Sequence, residues 1–381
     1  MNDTLDSDVL VIGAGIAGTS TAYFLAPYAT VRVLEREPYP GMHSTGRSAA
    51  LFSATYGPPQ VRTLTRASRA FFEHPPQGFA ENPILTPRGV LTFGSAAQAS
   101  EIEALYAAIH PHLPRARILH GADIRALVPV LEPSAAEIAL FDPDAADMDV
   151  NALHQGFLRG LKARGGELLC GVDIRSIRQA QGYWCVETAE RVFRAPLLIN
   201  AAGAWVDQVA VQAGVAPLGI EPRRRSAFLF APPAGMQTAH WPFVVDAEES
   251  FYFKPDAGLL LGSPANADPV PPHDVQPEDL DIAIAIDRIE HATSLRIERP
   301  IRAWAGLRSF VADGELVGGF AQDAPGFFWV AALGGYGIQT CAAMGEACAH
   351  LALGRALPTH LSEAGITAQV LAPRAPHRSF T

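Results

Sequence analysis

Six residues near the amino terminus, Gly13-Ala14-Gly15-Ile16-Ala17-Gly18, have the spacing of a turn that lets a dinucleotide pyrophosphate lie against the backbone. Gly13 permits a tight turn, Gly15 lets the phosphates approach, and Gly18 lets the following helix pack closely on the preceding strand. Glu35 stands 17 residues beyond Gly18, where a carboxylate accepts the ribose hydroxyls. That acid disfavours a 2′-phosphate and so argues against NADP, leaving NAD and FAD open. A second stretch, "GMHSTGRSAALFSATYG" at 41–57, gathers small and hydroxyl residues around one His and one Arg. A plain connecting loop needs no such composition.

These residues require particular elements around them. The apolar run "VLVIGA" ending at Ala14 predicts a strand buried on both faces, "TSTAYFLAP" a helix, and "ATVRVLE" (29–35) a second strand. Steady βαβ alternation should then follow in an NAD dehydrogenase. Instead the chain breaks into 41–57. It later offers alternating segments at 226–233, 243–264 and 300–310, punctuated by Pro-Asp and Asp-Ala-Gly, which predict an antiparallel sheet. Residues 195–210 again read as buried strand, glycine turn and helix, and 152–166 as a helix ended by Gly165 and Gly166. His154 on that helix is expected to pack or cap. The tail "LAPRAPHRSFT" is expected to fray.

Composition narrows the function classes. With 381 residues, 49% of them apolar, the chain can build a large core or two domains. A net charge of −10 argues against non-specific nucleic-acid binding. Cys170, Cys185, Cys341 and Cys348 form no CxxC pair, so neither a disulfide framework nor a metal site is expected. No run approaches the length of a membrane span, the polar start "MNDTLDSD" has no basic leader, and a cytoplasmic protein is expected.

Longer motifs carry a resemblance: "GAGIAG", "HSTGRSAA", "YGPPQVR", "NAAGAW", "RRSAFLFAPP", "ESFYFKPDAG", "WAGLRSFVADG" and "GFFWVAALGGYGIQT". The chain resembles the flavin-dependent amine and D-amino-acid oxidoreductase (DAO) family of glycine, sarcosine and D-amino-acid oxidases. Within it the chain is most similar to the bacterial D-arginine dehydrogenases. The resemblance implies an α/β fold in which a Rossmann-like FAD-binding domain (1–88, 146–218 and 316–381) is interleaved with an antiparallel-sheet α+β substrate domain (89–145 and 219–315). It implies FAD held non-covalently, since "AGLRSFVADG" has no Cys for a flavin link. The 41–57 segment then becomes a clasp along the flavin. Ser44, Thr45, Arg47 and Ser48 would offer donors to the phosphates and polar edge, and Ala49 and Ala50 would pack beside the ring. Ile16, Ala17, Arg36, Val172, Ala202, Gly203, Trp205 and Gly306 join Gly13, Gly15, Gly18 and Glu35 as cofactor residues. Gly335, Tyr336, Gly337, Ile338 and Gln339 would meet the pyrimidine end, where a helix N-terminus stabilises negative charge. His43 is expected to be structural.

The same resemblance assigns the substrate site. Arg308 and Arg225 would hold a carboxylate with Tyr56 and Tyr252, and the Gly335 carbonyl would accept from the amine. Arg223 and Arg224 are expected in surface or structural pairs. The implied reaction is oxidative deamination of a D-amino acid: hydride passes from the α-carbon to flavin N5, and water hydrolyses the imino acid to a 2-oxo acid and ammonia. No protein acid or base is obligatory. Leu51, Ser53, Val90, Phe243 and Val245 would form the side-chain pocket. The acid that meets the guanidinium in D-arginine dehydrogenases is missing from "TPRGVLTF" (86–93), which favours neutral or hydrophobic D-amino acids. Glu248 or Glu249 could replace it and keep D-arginine a substrate. An O₂-using glycine- or sarcosine-type oxidase is the competing enzyme, and a flavoprotein without turnover is a third reading that the retained Arg and Tyr residues oppose. A dehydrogenase would need a quinone or carrier as electron acceptor, which leaves loose membrane association open although no basic amphipathic helix supports it. A monomer or small homo-oligomer is expected.

Overall fold

The computed structural model describes residues 3–374, so most of the tail expected to fray lies outside the described residues. Val9–Ile12 forms the strand that leads to the glycine turn, and all four of its residues are buried. Its neighbours are Val31–Leu34 and Leu197–Asn200, both parallel to it. Glu167–Leu169 and Phe327–Ala331 extend this sheet in parallel, and Val317–Phe320 closes it antiparallel. Val9 and Val11 face one apolar cluster with Val33 and the helix residues Ala343, Met344 and Ala347. Leu10 and Ile12 face another with Trp184, Phe193 and Trp329. An unbroken apolar run forms a strand here because both of its faces are covered. The helices Ile16–Leu25 and Gly337–Ala352 pack on one face of the sheet, and each aims its N-terminus at the same cavity.

The segments that alternate in sequence build a second, nine-stranded sheet. Its ladders are antiparallel except for Phe243–Asp246 beside Val90–Gly94. Glu221–Phe230 runs antiparallel to Arg302–Phe310 over nine residue pairs, and this ladder carries the arginines of the site. Helix Asp279–Ala292 covers the sheet, with Ile282, Ala285 and Ile289 buried against Phe228 and Leu260. A small three-stranded sheet of Leu51–Phe52, Ala146–Met148 and Leu85–Pro87 joins the two. The fold is thus α/β with a parallel nucleotide sheet and a separate, mainly antiparallel one. We propose the boundaries given above for the two interleaved domains; the segregation of strands between the sheets supports them.

Of the four cysteines, Cys185, Cys341 and Cys348 are buried and Cys170 is exposed, all of them free thiols. Among the described residues no helix is long and apolar enough to cross a membrane. No group of His, Cys, Asp or Glu there could hold a metal ion.

Candidate active site

The glycine turn follows from close approach. Gly13 has φ +98°, and a Cβ on it would lie 2.6 Å from the Ala201 carbonyl oxygen. A Cβ on Gly18 would lie 1.9 Å from the Gly13 oxygen, so only glycine lets the helix start this near the strand. Glu35 braces the turn: its Oε2 accepts from the Ala14 amide at 2.7 Å and its Oε1 from the Glu37 amide at 2.9 Å. The buried His154 meets the Ala14 carbonyl through Nε2 at 2.9 Å, and burial holds its pKa below the ordinary histidine value. Nε2–H is therefore the donor of a neutral ring, the packing role expected of it.

One cavity of about 380 Å³ runs from Glu35, Arg36 and Trp205, past Gly13, Gly15 and Thr45, to Gly306, Arg308, Gly335 and Gly337. At its first end the Arg36 guanidinium lies over the Trp205 ring, 4.9 Å from the centroid. The His43 ring is 4.7 Å from Trp205 and its Nε2 is 3.0 Å from Glu37, whose carboxyl this hydrogen bond holds below the usual range. The His43 ring is thus held between Trp205 and Glu37.

The clasp lines the cavity with Ser44, Thr45, Arg47, Ser48 and Ala49, but most of its polar atoms are committed to protein. The Ser44 hydroxyl donates to the Leu307 carbonyl at 2.5 Å. Thr45 Oγ1 accepts from the Ile16 amide at 3.0 Å. Ser48 Oγ accepts from the Ala50 amide at 3.1 Å. Arg47 donates to the carbonyls of Val275 (2.9 Å) and Ala305 (3.1 Å) and pairs with Asp274. Arg47 and Ser44 line the cavity and also fasten the clasp to the Arg302–Phe310 strand. A sequence shows the donor but not which acceptor reaches it first.

Ile16, Ala17, Val172, Ala202, Gly203 and Ile338 line the cavity as expected. Gly18, Ala50, Tyr336 and Gln339 do not. Gly18 is tucked under the turn, and Ala50 adopts φ +32° where the clasp bends away. Tyr336 packs edge-on against Tyr56 at 4.9 Å, and burial pushes its phenol up to about 12. Gln339 Oε1 accepts from the Ser53 amide at 3.0 Å, while its buried Nε2 has no partner. Missed by the sequence reading were Glu37, Gln208, Gln212, Ser309 and the bend Ala331–Leu333. No motif spacing marks them, because packing alone brings them to the wall.

These features fit FAD. Two helix N-termini face the cavity, at Gly15 and Tyr336, neither capped by its own N-cap side chain, and can receive anionic oxygens. Glu35 lines the cavity beyond the glycine turn, at the sequence position of a ribose carboxylate, and Trp205 offers an aromatic face at the same end. No cysteine is among the lining residues.

At the far end, Arg308 Nη1 donates to the Tyr56 hydroxyl at 3.1 Å. Arg225 donates through Nε to the Asn266 carbonyl at 2.6 Å. Burial lowers the Arg225 pKa, and the Arg308 charge adds to that. Among the described residues neither guanidinium has a carboxylate within 4.0 Å, whereas Arg224, next in sequence, pairs with Asp281 at 3.0 Å and Glu278 on the opposite face. Arg223 pairs with Glu221 at 2.6 Å and lies over Phe310. Gly335 abuts Arg308: a Cβ there would lie 2.8 Å from Nη1. Tyr252 lines the cavity with Phe243 stacked on it at 4.9 Å.

The residues of the expected side-chain pocket, Leu51, Ser53, Val90, Phe243 and Val245, stand outside the lining of the cofactor cavity. Phe243 and Val245 pack against Tyr252 on its own face of the sheet, Val90 is buried beside Phe243, and Ser53 Oγ is 2.7 Å from Thr55 Oγ1. Register puts Val90, Phe243, Val245 and Tyr252 on one face of the sheet, with Phe243 and Val245 half-buried against the tyrosine, while Leu91, Val244 and Phe253 face the core. Glu249, by contrast, is close enough to feel the charge of Arg225 and Arg308. It lies three residues before Tyr252 on a turn with φ +51°, accessible to solvent yet crowded by protein. That crowding raises its carboxyl pKa against the pull of Arg225 and Arg308.

A glycine cradle, a ribose carboxylate and two uncompensated guanidiniums along one cavity match a known pattern. Residues 8–351 match the sequence profile of the FAD dependent oxidoreductase (DAO) family. The chain belongs to that family. FAD is accordingly its cofactor. Similar proteins include the sarcosine oxidase subunit beta of Rhizobium meliloti, 29% identical over 231 residues, which is 58% of this chain and 55% of that one. A monomeric sarcosine oxidase of Streptomyces avermitilis is 27% identical over 234 residues, 60% of this chain and 59% of that one. The chain thus spans about half the length of these curated relatives. Among solved structures, glycine oxidase from Geobacillus kaustophilus superposes with a TM-score of 0.82 at 19% identity, covering 99% of this chain and 100% of that one. L-proline dehydrogenase from P. horikoshii superposes with a TM-score of 0.79 at 19% identity, over 96% and 99%. These matches carry the DAO family and its fold. The narrower likeness to D-arginine dehydrogenases is not among them.

Proposed function

We propose that this DAO-family protein oxidises the amine of a small amino acid, removing a hydride from the α-carbon as the Cα–N bond becomes C=N. The observation that carries this reading is the pair Arg225 and Arg308, half-buried in the cavity wall and without an ion-pair partner among the described residues. Two such cations oppose each other unless an anion joins them, and a carboxylate is the anion a guanidinium fork and a phenol fit best. FAD bound in the cavity would supply the electron acceptor. The chain's own residues do the positioning. Arg308 and Arg225 grip the carboxylate, Tyr56 and Tyr252 donate to it, and the Gly335 carbonyl accepts from the amine. The nearby cationic charge favours the neutral amine, whose lone pair forms the C=N bond as the α-hydrogen departs with its electrons. Water then hydrolyses the imine to a 2-oxo acid and ammonia.

The preferred substrate in this reading is a D-amino acid with a neutral or hydrophobic side chain, oxidised by a dehydrogenase. The apolar packing of Phe243 and Val245 around Tyr252 supports it. A glycine- or sarcosine-type oxidase is the second reading, favoured by the sarcosine and glycine oxidases among the similar proteins. Anaerobic mixing of the flavoprotein with D-Leu, D-Phe, D-Arg, L-Leu and sarcosine in turn, followed by flavin absorbance, separates the two. Bleaching fastest with D-Leu or D-Phe is expected. Bleaching by sarcosine alone would transfer the assignment to the second reading, and bleaching by none would remove both.

A further inference from the structure

A second cavity, of about 400 Å³, shares no lining residue with the first. Phe52, Ala54 and Leu113 give it apolar walls; Arg66, Arg69, His112 and Asp144 give it charge. Its position follows from strand alternation. Leu51 and Ser53 point to one side of the segment after the clasp, Phe52 and Ala54 to the other, so this cavity backs onto the segment whose end carries Tyr56.

The charges around it do not balance locally. Arg69 pairs with Glu73 at 2.8 Å and lies over the Phe52 ring, 5.3 Å from its centroid. Asp144 is taken by Arg115 at 2.8 Å. Arg66, half-buried in the helix Pro59–Glu73, has a single hydrogen bond, to Thr63 Oγ1 at 3.1 Å, and no ion pair among the described residues. Arg62, one turn before it, is a second cation without a carboxylate partner there; it donates to the Gly57 carbonyl at 2.7 Å. Burial and this like charge both weigh against the Arg66 cation. A cation so placed, beside an aromatic floor and a histidine, is matched by a compact anion with an apolar body.

We propose that this cavity is a second ligand site, separate from the amine site, that takes a small carboxylate bearing an apolar group. The carboxylate meets Arg66 and His112, and the apolar body lies against Phe52, Ala54 and Leu113. Because Ser53 is anchored to Gln339 and Tyr56 meets Arg308, occupancy on one side of the segment bears on the amine site on the other.

The test uses the FAD-loaded protein and 4-iodobenzoate, whose iodine is located directly by anomalous scattering. A peak is expected in the Phe52–Leu113 cavity, distinct from any at Arg225 and Arg308, with a calorimetric stoichiometry near two. Arg66→Met is expected to weaken the second site at least tenfold and lower the stoichiometry to one, while Arg66→Lys keeps part of the affinity. Arg308→Met should abolish only the amine-site peak. A wild-type stoichiometry of one with density only at Arg308 overturns the proposal. So does an undiminished cavity peak in Arg66→Met. Should that variant not fold, the wild-type peak positions and stoichiometry decide alone.

Discussion

Arg225 and Arg308 project from the same face of two adjacent antiparallel strands, offset by one two-residue step. Arg308 is in register with Arg223 and Arg225 with Gly306. Side chains two apart on a strand share a face, so this register alone brings two guanidiniums to the end of the cofactor cavity. Arg224, between them in register, faces the other way into a cage of Asp268, Glu278 and Asp281. The strand thus separates a neutralised arginine from two that await an anion.

Replacing Arg308 by Met removes the fork that holds the substrate carboxylate and frees Tyr56. A fall of about a hundredfold in kcat/KM is expected, the scale of a lost charge-assisted hydrogen bond of roughly 3 kcal/mol. Arg308→Lys should recover only part, because an ammonium cannot grip bidentately. Steady-state kinetics with the best amine substrate measures both. Unchanged kinetics in Arg308→Met would remove Arg308 from the site.

Gly335→Ala puts a methyl group 2.8 Å from Arg308 Nη1, closer than packed atoms tolerate. The guanidinium must move, so KM should rise while FAD content stays at wild-type level. Bound flavin per chain and KM, measured on one preparation, check the pairing. Loss of flavin instead would assign Gly335 to cofactor binding alone.

Glu249 stands near the guanidinium pair without forming an ion pair to either, and crowding by protein raises its carboxyl pKa against the pull of Arg225 and Arg308. Glu249→Gln removes a negative charge that competes with the substrate carboxylate. KM for neutral D-amino acids should fall roughly three- to tenfold. The difference from wild type should shrink as pH is lowered through the raised pKa, where Glu249 is already protonated. A selective loss of D-Arg turnover would show instead that Glu249 holds a cationic side chain.

His154 is buried and neutral against the Ala14 carbonyl, with a pKa below its unfolded value of about 6.5. As pH falls through that value the unfolded chain takes a proton that the folded one refuses, so stability is present above it and lost below. Urea midpoints should decline between roughly pH 7 and 5. His154→Asn should flatten that decline, and an identical slope in the variant would assign the loss to other groups.

The sequence by itself determined the nucleotide half. A buried β-branched run, three glycines at fixed spacing and a carboxylate beyond the second strand are local requirements, each met within 28 residues of chain (8–35). Gly13 at φ +98° and Gly18 under the Gly13 carbonyl show the steric reason. Tertiary structure decided which polar groups are free. Arg47 and Ser44 look like ligands in the sequence but are bound to carbonyls from the Arg302–Phe310 strand and its neighbours, some 230 to 260 residues away. Arg308 is freed and Arg224 caged by strand register and by the packing of a helix beginning at Asp279. Residue type sets what a side chain can bind; only the chain's long-range contacts determine whether a protein partner has already bound it.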